Sequence, residues 1–497
     1  MGVEKEGLRV SRKGGMSQAA HPKALGCALT HPNITTDFSE SLIELVTPPA
    51  NSAKKTLDFL ADTQHYLYYH LSKDQNLWPA SMPCVIRGET YIPIAKYGKS
   101  NRGMMKTVYR KGLANRYGSV MQTIAGVHFN YSFSQDFLSK CHSLLNPDED
   151  LKYFINDNYM ALTRNIVRYG WVIPYLFGSS PTVCKSFLNG YHKHSLVEFN
   201  DSTLYEPYAT SLRMGDVGYQ NLREDEGGVK ANFNSLSHYI NSLKIGMRSN
   251  CSEYEKIGVK SGGEYQQLNT NILQIENEYY ASVRPKPSAQ ECERPLDSLN
   301  SSGISYIELR SLDVNPIIPL GIDEPQIHFL EAFMLFCLLK DSPIISTREQ
   351  FEIDNNDQLV AHEGRKPGLT LRRRSQTVLL KDWGSEIMQE IELCSRLFGE
   401  NYKQDVVNIS RRIKNPELTP SFVILSDMRD RKQGFFDYTN SFAKRYRREF
   451  LNNNINKQHF KYLDEQAKIS CKKQQEIEEA DNISFDKFLQ EYFSKEP

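Results

Sequence analysis

Short β-like stretches separated by helical segments fill the first two thirds of the chain, and the last third is almost wholly helical in period. The β-like runs are SLIELV (41–46), AGVHFNYS (125–132), NTNILQI (269–275) and ISYIELRSL (304–312). Their separations are too irregular for βαβ repeats, so the pattern predicts an α+β fold with a largely antiparallel sheet. Amphipathic helices are predicted over 57–71 and 151–169. The apolar run at 329–339 contains Glu331 and is too short to cross a bilayer, so it predicts a buried helix. Ile387, Ile391, Leu393 and Leu397 recur near helical spacing in 386–398. Roughly the last forty residues are charge-rich and read as one exposed helix, with Glu476, Glu478 and Glu479 on a solvated face. No repeat, low-complexity tract or Pro/Gly/Ser linker divides the chain. It is therefore expected to form one domain, with a sheet-containing core over about 1–320 and a mostly helical part over about 321–497.

Three of these runs, and a fourth β-like segment at 3–6, carry chemistry on one strand face. In Val3-Glu4-Lys5-Glu6 two carboxylates stand at i and i+2, which on a strand is one face. Glu44 sits between Ile43 and Leu45. His128 and Asn130 alternate with Val127, Phe129 and Tyr131, and Glu308 and Arg310 alternate with Ile307 and Leu309. Buried carboxylates are costly alone and worse together, and a divalent cation removes both penalties. Carboxylate oxygens with one imidazole suit Mg²⁺ or Mn²⁺ rather than a thiolate zinc site.

Composition narrows the function classes. The chain has 497 residues, with 60 Lys plus Arg against 60 Asp plus Glu. At its 57.1 kDa it buries about three quarters of its unfolded surface, enough for a large core without disulfides. Zero net charge disfavours general nucleic-acid binding or adhesion to an anionic membrane. The opening MGVEKEGLRV has no apolar leader, and Glu6 stands where a myristoylation signal needs Ser or Thr. Nine scattered cysteines without a C-x-x-C pair point to reduced thiols and a cytoplasmic setting. Arg372-Arg373-Arg374 reads as a solvated turn. Gly98-Lys99-Ser100 imitates the end of a phosphate loop, but the glycine required five residues earlier is Pro93. A nucleotide would therefore be held through metal ions and arginines.

The same segments resemble the glutamate–cysteine ligase family of the proteobacterial type. The resemblance runs through GVEKEGLRV, ALTHPNITTDFSESLIELVTPP, YRKGLANRYGSVMQTIAGVHFNYS, YGWVIPYLFGSSP, YEPYATSLRMGDVGY, LNTNILQIENEYYASVRPK and YIELRSLDVNP, in the family's order. It implies a glutamine-synthetase-like curved antiparallel sheet and a single catalytic domain. It implies that ATP activates the γ-carboxylate of L-glutamate as γ-glutamyl phosphate, which the L-cysteine amine then attacks. By matching position, Glu4, Glu6, Asp37, Glu44, His128 and Glu308 would bind Mg²⁺. Arg213 would hold the glutamate carboxylate, Arg310 would contact the transferring phosphoryl group, and Arg110 is a further phosphate contact. Phe38, Tyr109, Leu113, Gln122, Tyr219 and Tyr280 would form the cysteine pocket. A monomer is implied. Two other readings stay open: a related carboxylate–amine ligase with another acceptor, and an inactive metal- or nucleotide-binding homologue. A fused second ligase is not expected, because the part beyond about 370 is too short and too helical for an added ATP-grasp domain.

Overall fold

The computed structural model describes residues 1–83, 85–188, 194–218, 229–288 and 294–494. Its centre is a seven-stranded antiparallel sheet. Five of its strands are β1 (Gly2–Ser11), β2 (Ile34–Thr36), β3 (Leu42–Val46), β4 (Gln75–Leu77) and β5 (Gly126–Tyr131). The other two are Val283–Lys286 and Tyr306–Asp313. In space the order is Val283–Lys286, Tyr306–Asp313, β5, β1, β3, β2, with β4 paired to the far end of β1. All strands of this sheet come from residues 2–313, and beyond residue 321 the described elements are helices apart from one hairpin at Thr370–Leu379.

The sheet lies against helices on its apolar face. Val3, Ile43, Leu45, Val127, Phe129, Ile307 and Leu309 are all essentially inaccessible. One continuous hydrophobic core includes residues from Val3 to Leu463. The helix Glu324–Leu339 lies in that core and keeps Glu331 by accepting a 2.7 Å hydrogen bond from Tyr402 Oη. The predicted helices form at Ala53–His70, Leu151–Tyr169 and Leu380–Ser395. Their starts at Ser52 and Asp150 are side-chain caps. No helix among the described residues is long and apolar enough to cross a membrane.

Two expectations are corrected. NTNILQI is not a strand: among the described residues its only ladder contact is an isolated bridge between Asn250 and Asn271. The Asn269 carboxamide binds Asn271 N (3.0 Å) and Gln274 O (3.0 Å), so local side-chain bonds replace the ladder. The charged tail is two helices, Lys457–Ala480 and Phe485–Ser494, and only the first is mainly a solvated face. Even there, Glu478 accepts from Lys99 N at 2.8 Å, at the start of the helix Asn101–Tyr117. Ser100, in the phosphate-loop imitation, caps that helix by accepting from Gly103 N. The arginine run forms the hairpin turn, with Arg374 and Ser375 at φ 47° and 70°.

Candidate active site

Register decides which charges meet. Glu4 pairs with His128 across β1 and β5, Glu6 with Glu44 across β1 and β3, and Glu308 with Asn130 across the next ladder. Directly paired residues share a face, so three ladders bring these side chains together on the side opposite the core. His128 Nδ1 lies 3.1 Å from Glu4 Oε2 and 3.8 Å from Glu308 Oε1, and its Nε2 lies 3.8 Å from Glu6 Oε1. Glu4, Glu44 and His128 each offer a ligand atom, all within 4.8 Å of one another. Asn130 Nδ2 donates to Glu4 Oε1 at 2.8 Å.

Glu4, Glu6, Glu44 and His128 line a cavity of about 950 Å³. Of the sites expected from the sequence, Glu4, Glu6, Asp37, Phe38, Glu44, Tyr109, Arg110, Leu113, Gln122, His128, Arg213, Tyr280 and Arg310 all face it. Glu308 lies just beneath, with Arg310 Nη1 at 3.2 Å. Tyr219 lies outside the described residues. The helix Asn101–Tyr117 presents Tyr109, Arg110 and Leu113 from one wall, and Arg110 Nε donates to Asp37 O at 2.5 Å.

Arg213 depends on a missing side chain. A Cβ at Gly126 would stand 2.3 Å from Arg213 Nη2, so glycine there leaves room for the guanidinium. Arg213 Nη2 donates to Arg310 O at 2.8 Å, and its Nη1 lies 3.8 Å from Asp313 Oδ1. Asp313 is itself held by Ser179 N (2.8 Å) and Ser211 Oγ (2.9 Å). Gly126 N donates to Glu6 Oε2 at 2.6 Å, which ties the acid cluster to the arginine. His362 lies between Glu206 (2.7 Å) and Asp216 (3.1 Å), anchoring the loop that carries Arg213. Burial works against charge on His362, but the two carboxylates overrule it and push its pKa up to about 9.

Burial acts against charge on every carboxylate of the cluster, and its neighbours decide which of them it overcomes. Burial, then the neighbours Glu4, Asp37, Glu6 and Glu308, push Glu44 well above the usual carboxylate range. Burial also raises Glu6, with Asp37 adding to it. Burial opposes charge on Glu308 too, yet Lys286, Arg310 and His128 hold it below that range. Burial likewise opposes charge on Glu4, but the hydrogen bond from His128 prevails and lowers it. Asn130 Oδ1 and Glu308 Oε2 are buried and accept no hydrogen bond from the described residues. Spare oxygen acceptors among crowded carboxylates fit a hard divalent cation, as the donor set itself does.

Several functional-face residues were not singled out in the sequence. Lys286 stands 3.5 Å from Glu308 Oε2, and Arg284 lines the same cavity. They alternate with Val283 and Pro285, so the i, i+2 rule applied elsewhere would have found them. Arg116 and Glu278 form a 2.8 Å ion pair with both side chains fully buried, and Tyr117 Oη donates to the same carboxylate at 2.9 Å. Phe488, Glu491 and Tyr492 of the last helix close one side of the cavity.

The glutamate–cysteine ligase family model matches residues 1–360. The chain belongs to the glutamate–cysteine ligase family. A family member from Alcanivorax borkumensis, named glutamate–cysteine ligase, is 42% identical over 502 residues, covering 99% of this chain and 95% of that protein. A crystal structure of the Francisella tularensis glutamate–cysteine ligase in complex with AMP superposes with a TM-score of 0.94 at 33% identity, covering 99% of this chain and 97% of that one. A bifunctional glutathione synthetase from Pasteurella multocida shares the fold, with a TM-score of 0.71 at 22% identity over 91% of this chain and 52% of its own. The sheet architecture expected from the sequence is thus that of a solved family member.

Proposed function

We propose that this cavity carries out the family reaction: ATP-dependent joining of the L-glutamate γ-carboxylate to the L-cysteine amine, giving γ-glutamylcysteine, ADP and phosphate, the first step of glutathione biosynthesis. The observation that carries the reading is the meeting, in one cavity, of a carboxylate–imidazole cluster with the guanidinium groups of Arg213 and Arg310. Amide formation in water is uphill, so the carboxylate must be activated, and its attack on a nucleotide phosphate brings two anions together. Neutralising and aligning them is the main task, and it is electrostatic.

Glu4, Glu6, Asp37, Glu44, His128 and Glu308 would hold Mg²⁺, with Mn²⁺ an alternative. When bound, the ions supply charge neutralisation for the phosphate and carboxylate oxygens. Arg310, kept charged by Glu308, would face the transferring phosphoryl group. Arg213, confined against Gly126, would orient the glutamate carboxylate. Arg110, braced on Asp37 O, is a further anion contact. Phe38, Tyr109, Leu113, Gln122 and Tyr280 would receive cysteine, with aromatic rings against its sulfur and a hydroxyl for its polar end. Tyr219 would join them. The whole chain acts as one catalytic domain in this reading, supported by the main core that runs from Val3 to Leu463, and as a cytoplasmic monomer.

ADP release is the test, measured with glutamate and Mg²⁺ while the amine acceptor is varied. Release that requires cysteine supports the reading. Release with another amine but not with cysteine would replace the acceptor, and no release at any Mg²⁺ concentration would make the chain an inactive homologue. Size-exclusion chromatography with light scattering tests the monomer.

A further inference from the structure

Cys27 and Cys471 are 444 positions apart, and their sulfurs lie 2.8 Å from each other. The pair takes no part in the ligase chemistry above. Cys27 follows a short helical turn, Lys23–Leu25, and Cys471 is exposed on the helix Lys457–Ala480. The two backbones are locked beside the pair: Cys27 N donates to Ser470 Oγ at 3.0 Å, and Thr30 Oγ1 donates to Ser470 O at 2.6 Å. Gly26, at φ 77°, allows this approach, since a Cβ there would stand 2.7 Å from Ala467 Cα. The contact also joins two segments that reach the cavity. Leu29, two residues after Cys27, lines it, and the helix bearing Cys471 leads into the one that supplies Phe488, Glu491 and Tyr492.

We propose that Cys27 and Cys471 form a disulfide by exchange with low-molecular-weight disulfides, and that this bond staples the C-terminal helices over the cavity. The exposed Cys471 thiolate attacks one sulfur of the small disulfide RSSR. That S–S bond breaks, a mixed disulfide forms on Cys471, and the first RS⁻ leaves and takes up a proton. Cys27 then attacks the Cys471 sulfur, closing the protein disulfide and releasing the second RSH. The two protein thiols lose two electrons and two protons, and RSSR gains both. Burial, and then the neighbouring sulfur, push the Cys27 thiol up to about 12, which leaves the first attack to the exposed Cys471; Cys27 enters the second step through its 2.8 Å proximity to that sulfur. The substrate and product of the proposed reaction are themselves thiols, whose oxidised forms are disulfides of this class.

The probe is bis(2-hydroxyethyl) disulfide, which resembles neither glutamate nor ATP. Treating the full chain is expected to remove two hydrogens, with peptide mapping placing the link at Cys27–Cys471 and dithiothreitol reversing it. Cys27→Ser should stop at a mercaptoethanol adduct on Cys471, and Cys471→Ser should form no link at Cys27. Proteolysis within 457–484 should slow roughly fivefold or more in the oxidised wild type, because local opening of the stapled helix is suppressed. A wild-type protein that keeps the mixed adduct, a link mapped to other cysteines, or a link that gives no protection would each overturn the proposal. No arm measures ligase activity, so failure here and failure of the proposed reaction are distinguishable.

Discussion

Glu4, Lys5 and Glu6 are consecutive charged residues on one strand, yet they belong to two different environments. Glu4 and Glu6 face the cavity among other acids, where water, cations and substrates can compensate them. Lys5 points into the core at 2% exposure, and its ammonium donates to Gln64 Oε1. Burial pulls its pKa down to about 7, so the fold tolerates it by weakening its charge. The difference teaches that the sheet separates two chemistries rather than simply hydrophobic from polar: one face concentrates charge for use, and the other removes it from play.

The largest way to test this separation is on the cavity face. His128→Ala or Glu308→Ala is expected to lower cysteine-dependent ADP release by about 10²-fold or more at fixed Mg²⁺, by removing a member of the electrostatic cluster. Activity that survives either change undiminished would void the proposed metal set. Gly126→Ala forces a methyl group against Arg213. A fall in kcat/KM of roughly 10- to 100-fold is expected, with stability reduced by about 1–3 kcal/mol. A raised glutamate KM in that variant would tie the loss to Arg213.

A pH comparison sharpens the picture next. The folded pKa of His362 lies near 9, above the unfolded value of about 6.5, so its ion pairs stabilise fully below pH 6.5 and fade as pH rises to 9. Urea unfolding of wild type and His362→Gln should differ by about 2 kcal/mol at pH 6, with the gap nearly closed above pH 9. A gap constant with pH would show that His362 acts through packing alone. The smallest functional effect belongs to the core face. Lys5→Met should leave kcat within about threefold of wild type, because its side chain points away from the cavity. A larger loss would mean that the two faces are not separate.

Much of the site could be read from strand periodicity. His128 with Asn130, and Glu308 with Arg310, announced a polar face because their neighbours on the other parity are apolar. The family resemblance added Asp37 and the aromatic pocket, which spacing alone could not supply. NTNILQI misled because its β-branched residues look strand-like, whereas Asn269 uses its amide to bind nearby backbone instead. The packing of the last helix at the cavity was missed for a different reason. Its charges describe a solvent face, but Phe485 and Leu489 pack with Val108 and Leu268, a contact between distant segments with no local signature.

The sequence by itself determined which residues carry charge on which parity of each strand, and which segments would be helical, because those properties follow from local geometry and from the alternation of side chains. Tertiary structure alone decided the register that sets Glu4 opposite His128 and Glu6 opposite Glu44. It also decided the space that Gly126 leaves for Arg213, and the return of residues 485–494 to close a cavity begun at residue 4. Those outcomes depend on strand pairing and long-range packing. Their free energy comes from contacts between segments hundreds of residues apart, and no local pattern records such contacts.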